Sequence, residues 1–121
     1  MSEIRATTIS DAAGTGPITL TKQSDAKAWV NFDGSGTIAT RESLNVSSLT
    51  DSATGKYFTN FTNAMSSADY GGSASGRTNG DVGFDSEGLN TASRLSVASY
   101  NSSGTLVDAS TLAGIILGDL A

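Results

Sequence analysis

The chain has no cysteine and no histidine, and one proline and one tryptophan among its 121 residues. Without cysteine there is no disulfide framework, no thiolate nucleophile and no cysteine-based zinc or iron–sulfur site. Without histidine there is no Ser-His-Asp triad, no imidazole metal ligand and no side chain that titrates near neutrality by default. Positive charge is also scarce. Seven Lys and Arg stand against twelve Asp and Glu, for a net charge of -5. These cations are scattered, so no basic patch forms to hold phosphates, and no nucleic-acid partner is expected. No apolar run approaches the ~20 residues of a membrane span, so no membrane insertion is expected. The start, Met1-Ser2-Glu3-Ile4-Arg5, lacks the apolar stretch of a secretion signal. Assembly or binding, rather than catalysis with a cofactor, is the expected role.

Serine and threonine make up more than a quarter of the chain, and glycine adds 14 residues. Ile, Leu, Val and Phe together number 24, about a fifth of the total, close to the ~20% below which chains tend to disorder. Charged residues are only 16%, however, and Trp, Tyr and Phe are all present. The composition predicts an ordered β protein with a thin core. A chain of this length buries about two-thirds of its unfolded surface on its own, so neighbouring subunits are expected to supply part of the missing burial.

Residues 1–24 read as a polar N-terminal arm. Ile4, Ile9, Ile18 and Leu20 are its only large apolar residues, and the clearer of two short β pieces is Ile18 to Thr21. The arm has no core of its own and is expected to attach to other proteins. From residue 25 to 121 a β body is predicted. Ala28, Val30 and Phe32 share one face of a strand over Lys27–Phe32, and Trp29 points to the other. Ser43–Val46 alternates in the same way. The pair Ser47-Ser48 then shifts the phase, which a β-bulge would restore for Leu49. A turn is expected over Thr50–Gly55, a strand over Lys56–Phe61, and a hairpin turn at Asn79-Gly80. Over residues 91–100, Leu95 and Val97 point inward while Arg94, Ser96 and Tyr100 lie opposite. Asn101-Ser-Ser-Gly104 turns the chain again. Ala113–Leu117 reads as a central strand buried on both faces. Only Thr59–Ala68 has plausible helical content. The expected fold class is all-β, a small antiparallel β-sandwich or barrel of six to eight strands with an extended arm.

Several motifs carry possible chemistry. Asn31, Asp33, Ser35, Gly36 and Glu42 fall at the first, third, fifth, sixth and twelfth places of a calcium-loop pattern. That pattern needs a helix on each side, and strands are expected here instead, so the loop reads as a β-hairpin turn built on Asp33-Gly34 and Ser35-Gly36. Gly14-Thr-Gly16 and Gly34-Ser-Gly36 lack the third glycine and following helix of a dinucleotide loop. Asn45-Val-Ser47, Asn60-Phe-Thr62 and Asn101-Ser-Ser103 match the glycosylation sequon, as a chain this rich in hydroxyls would by chance. Asp81, Asp85 and Glu87 cluster in a Gly-rich stretch that reads as a solvated turn. Neither a carboxylate pair nor a Ser–Lys dyad is singled out by spacing. Four aromatics, Trp29, Tyr57, Tyr70 and Tyr100, have two readings. Their flat faces could stack on sugar rings, or they could be covered by the next subunit, as aromatics at interfaces commonly are.

The segment Lys27-Ala-Trp-Val-Asn-Phe-Asp-Gly-Ser-Gly-Thr-Ile-Ala-Thr-Arg-Glu-Ser-Leu-Asn-Val-Ser-Ser-Leu-Thr-Asp51 closely resembles a stretch of tail-fibre and other virion structural proteins of tailed bacteriophages. The likeness continues through Gly55-Lys-Tyr-Phe-Thr-Asn-Phe-Thr-Asn-Ala-Met65, Ala68-Asp-Tyr70 and Gly104-Thr-Leu-Val-Asp-Ala-Ser110. Ile9-Ser-Asp-Ala-Ala-Gly-Thr-Gly-Pro-Ile-Thr-Leu-Thr-Lys22 looks like leaders of short phage structural proteins. The resemblance implies a non-enzymatic β module, most often a homotrimer, with no cofactor and no catalytic or metal residues to carry over. It would be assembled in the host cytoplasm and reside in the phage particle, joined to other virion proteins through the arm. Two roles fit. One is a short tail fibre or fibre tip for host attachment, touching surface glycans through aromatics and the polar stretch Gly71–Gly83. The other is a capsid decoration (cement) protein. Many relatives are domains of longer fibres, whereas no shaft, coiled coil or collagen-like repeat is visible here.

Overall fold

The structure, a computed structural model, describes Ala13 and residues 25–78, 80–85 and 89–121. The arm other than Ala13 lies outside the described residues, as do Asn79 and Glu87. Eight strands follow in chain order: β1 (Ala26–Asp33), β2 (Ala39–Leu44), β3 (Val46–Ala53), β4 (Lys56–Phe61), β5 (Gly71–Gly76), β6 (Val82–Phe84), β7 (Arg94–Ser99) and β8 (Leu112–Leu117). They make two antiparallel four-stranded sheets packed face to face, with no closed barrel. Sheet A has the order β2-β1-β8-β5 and sheet B the order β3-β4-β7-β6. The predicted all-β sandwich is the fold observed. No described residue is helical, and Thr59–Ala68 is the end of β4 followed by irregular chain. Its Phe and Thr residues favour a pleated surface over a helix.

The period-two pattern of β1 sends Ala28, Val30 and Phe32 into the space between the sheets, where they meet Leu112 and Ile116 of β8. Sheet B answers with Tyr57, Phe61, Leu95 and Val97. Phe32 and Tyr57 meet edge to face, 5.4 Å between centroids. Thr59, also inward on β4, is 1% exposed, and its hydroxyl has no hydrogen-bond partner. A methyl group in its place would remove a desolvation cost without changing the packing shape. Thr59→Val is therefore expected to raise stability by about 1 kcal/mol, read as a higher urea midpoint with an unchanged slope. A lower midpoint would mean that the hydroxyl is in fact satisfied.

The chain passes from sheet A to sheet B at Asn45, where the strand expected over Ser43–Val46 is broken. Asn45 adopts φ 56°, a left-handed conformation that asparagine tolerates better than most residues. Its amide Nδ2 donates to the carbonyls of Lys27 and Asn63, each at 3.0 Å. Its Oδ1 accepts from the Asn63 amide at 2.7 Å. A register shift between Val46 and Ser48 then marks the expected bulge. It puts both Val46 and Leu49 against the core. β3 runs on to Ala53, so the turn predicted over Thr50–Gly55 is confined to Thr54-Gly55. At the opposite margin, β5 is built of glycine, serine and alanine. A Cβ at Gly72 would sit 2.3 Å from the Ile115 carbonyl oxygen of the neighbouring β8 and 3.0 Å from the Ile116 and Phe84 side chains, so only glycine fits where β5 lies against β8 and β6.

Candidate interaction surface

The outward faces of the two sheets differ. On sheet B, Lys56, Phe58 and Asn60 of β4 lie across from Ala98, Ser96 and Arg94 of β7. This row is closed by polar and cation–π contacts. The Arg94 guanidinium sits 4.1 Å from the centre of the Phe58 ring, and its Nε donates to the Leu89 carbonyl. Asn90 Oδ1 accepts from the Ser96 amide at 2.7 Å. Lys56 Nζ lies 3.6 Å from Asp85 Oδ2, and the Asp85 side chain is only 1% exposed. Ser96 Oγ donates to the same carboxylate. The expectation of a solvated Asp81, Asp85 and Glu87 turn is thus corrected for Asp85, which is buried beside a lysine. Ser96, expected on the face opposite Leu95 and Val97, is fully buried. The group ties β4, β7 and the segment after β6 together.

On sheet A the outward row is apolar and bare. Trp29 stands between Leu44 of β2 and Ile115 of β8, and Ile115 faces Ser73 of β5. Leu44, Ile115 and Leu117 are each more than 40% exposed. β8 is central in the sheet, as expected for Ala113–Leu117, but only Leu112, Gly114 and Ile116 are buried. The prediction of burial on both faces is not met, since among the described residues no layer covers the outer one. Beside the ridge lies a shallow hollow of about 350 Å3, lined by Trp29, Asn31, Ser73, Ser75, Ala113 and Ile115. β5 and β8 contain no charged residue. Charge gathers at the end of this face, where Glu42 lies opposite Asn31. Arg41 there donates to Asn31 Oδ1, Asp33 Oδ2 and the Ser110 carbonyl.

The four aromatics singled out from sequence do not converge. Trp29 alone lies on the open face. Tyr57 is fully buried, which removes it from any surface role. Its hydroxyl donates to the Gly34 carbonyl at 2.9 Å and to Asp108 Oδ1 at 3.0 Å. Burial, with the Asp108 carboxylate beside it, pushes its ionisation well above the ordinary 10.0. Tyr70 is half-buried, edge-on to Phe61, and donates to the Arg94 carbonyl at 2.6 Å. Burial raises its pKa to about 12. Because both are raised, these hydroxyls contribute fully below pH ~10 and lose that contribution as the pH rises from there through the folded-state value, about 12 for Tyr70. Tyr100, half-buried, forms an isolated bridge with Leu106 at the far end of the fold. The polar stretch Gly71–Gly83 is largely strand, as β5 and most of β6.

The loop after β1 is the expected hairpin. Asp33 Oδ1 accepts from the Ser35 amide and hydroxyl, at 2.9 and 2.6 Å. These bonds, with help from Arg41, hold its carboxyl below the ordinary value. Glu42 belongs to β2 and is opposite Asn31, not gathered with Asp33 as a calcium loop requires. Among the described residues no three acidic side chains form a group that could hold a metal. The sequon amides of Asn45 and Asn60 are engaged in hydrogen bonds, the latter to Ser48 and Thr50 hydroxyls.

Comparison with protein-family models, curated proteins and solved structures finds no match. The signal for the open face was in the sequence: apolar residues at both parities of β8, together with Trp29 out of phase with its strand's core residues. What the sequence could not say is which of these positions the fold leaves uncovered.

Proposed function

We propose that this chain is a non-enzymatic structural subunit of a tailed-bacteriophage particle, a short tail-fibre or fibre-tip module that works as a homotrimer. The observation that carries the reading is the apolar face of sheet A, with Leu44, Ile115 and Leu117 each more than 40% exposed, since a contiguous exposed apolar patch commonly marks an interaction site. The resemblance of Lys27–Asp51 to phage structural proteins supplies the particle, and residues 1–24 are the proposed attachment to neighbouring virion proteins. Buried polar groups that could do chemistry (Lys56, Tyr57 and Asp85) are taken up in contacts that hold the sheets, which also favours a structural role.

The test is the copy number in purified particles of a phage that encodes the chain, by quantitative gel with the major capsid protein as internal standard. Copies on the order of tens per particle are expected, since fibres are few and cyclic. Hundreds would move the chain to the head as a decoration protein, and absence from the particle would overturn the structural reading.

A further inference from the structure

We infer that the outward face of sheet A is a homotypic interface, in which the apolar ridge of one copy seats in the hollow on the same face of the next copy of this chain around a symmetry axis. The inference deepens the structural-subunit reading and rests on it for the need of an assembly. The choice of a second copy comes from three features of the face itself.

The first is charge. The chain carries a net -5, so two copies repel each other over most of their surface. The centre of this face is the exception, because β5 and β8 contribute no charged residue and β1 contributes Trp29 and Asn31. Like-charged copies approach here at the least electrostatic cost, with Asp33, Arg41 and Glu42 left at the solvated end. A basic partner would find no acidic side chain in the centre to recognise.

The second is relief. Ile115 and Leu117 stand proud on β8 and Leu44 on β2, while Ser73, Ser75 and Ala113 are short and leave the hollow of about 350 Å3 beside them. Ridge and hollow lie on one face, so a copy turned about a symmetry axis can set its aliphatic side chains into its neighbour's hollow. Such a ridge-to-hollow contact, repeated from copy to copy, can close into a ring about a threefold axis. A sugar ring fits less well. Its hydroxyls would meet only one amide and two serine hydroxyls, and Asn31 Oδ1 already accepts from Arg41. The exposed Leu44, Ile115 and Leu117 would remain in water.

The third is area. Four strands about 4.8 Å apart and six residues long span about 20 by 20 Å. That is below the ~800 Å2 per partner of a standard stable interface, even allowing for side-chain relief. The association is accordingly expected to be reversible and concentration-dependent, so that it must be sought at tens to hundreds of micromolar.

Trp29 is the only tryptophan and stands on this face, so its fluorescence reports the contact directly. Sedimentation of the full chain across that concentration range should show a multiple of 12.2 kDa, with Trp29 emission moving to the blue as mass rises. Ile115→Lys alters an exposed side chain and should leave the circular dichroism unchanged while giving a monomer with red, concentration-independent emission. Leu120→Lys, equally exposed but bridged to Met65 away from the sheet, should assemble as the parent does. A wild-type chain that stays monomeric, an Ile115→Lys variant that still assembles, or saturable quenching of Trp29 in the monomer by simple hexoses would each overturn the inference. The last outcome would assign the hollow to glycan instead. Assembly through this face by a chain absent from phage particles would overturn the structural-subunit reading and leave this one standing.

Discussion

Replacing Gly55 with alanine is expected to cost about 3–5 kcal/mol, a large part of the 5–15 kcal/mol that holds a domain of this kind together. Gly55 adopts φ 68° at the turn between β3 and β4, a conformation that strains any residue with a Cβ. The added carbon would also sit 2.8 Å from the Ser99 carbonyl oxygen and the Val107 nitrogen, and 2.9 Å from the Val107 oxygen. These atoms are backbone and cannot rotate away. The crowding exists because three segments are knotted at this point. The Gly55 amide donates to Asp108 Oδ1 at 2.7 Å. The Gly55 carbonyl accepts from Ser99, and the Ser99 carbonyl from Val107. The Ser99 hydroxyl also donates to the Val107 carbonyl. Gly36 provides the control. Its φ is 62°, but nothing lies within 4 Å of its Cβ position, so Gly36→Ala should cost only the conformational strain, about 1 kcal/mol. Urea unfolding of both variants separates the two terms. Equal losses would show that the junction around Gly55 relaxes freely.

Lys56→Met should destabilise the protein by about 3 kcal/mol, because it removes the ammonium 3.6 Å from the Asp85 carboxylate, whose side chain is 1% exposed. The penalty comes from keeping a buried carboxylate after its nearby cation is removed, and exceeds the net worth of the ion pair itself. Ser96 Oγ, at 3.4 Å, softens it but cannot neutralise it. Removing both charges in a Lys56→Met, Asp85→Leu variant should therefore recover most of the loss. Thermal or urea unfolding of the single and double variants completes the cycle. A Lys56→Met loss below about 0.5 kcal/mol would place the pair among solvent-screened surface bridges.

The burial of Asp85 is not legible from its own stretch of chain. Asp85 sits between Gly83 and Gly88 among other acids, a setting that reads as a wet loop. It is buried because β6 pairs with β7 and the Asp85 amide continues that ladder to the Ser96 carbonyl, which carries the side chain toward Lys56. Lys56 is 29 positions earlier in the chain, and no local pattern joins the two. Tyr57 was misread for a related reason. Its alternation places it on one face of β4, but only the packing of sheet B on sheet A decides that this face is the inner one, against Phe32 and Gly34.

What the sequence determined by itself is the class of object this is. The missing cysteine and histidine exclude whole chemistries outright. The period-two runs of β1 and β4 and the phase shift at Ser47-Ser48 dictate strands and a bulge, because side-chain direction alternates with each residue in an extended chain. They also separate Trp29 from Ala28, Val30 and Phe32. Tertiary structure alone decided which of two apolar faces is covered. β8 is apolar at both parities, so its sequence is equally consistent with either side inward. The order β2-β1-β8-β5 lays one parity against sheet B and leaves the other, with Trp29, open to water. Burial is a property of what packs across a sheet, and the partner strands come from distant parts of the chain, beyond the reach of any local periodicity.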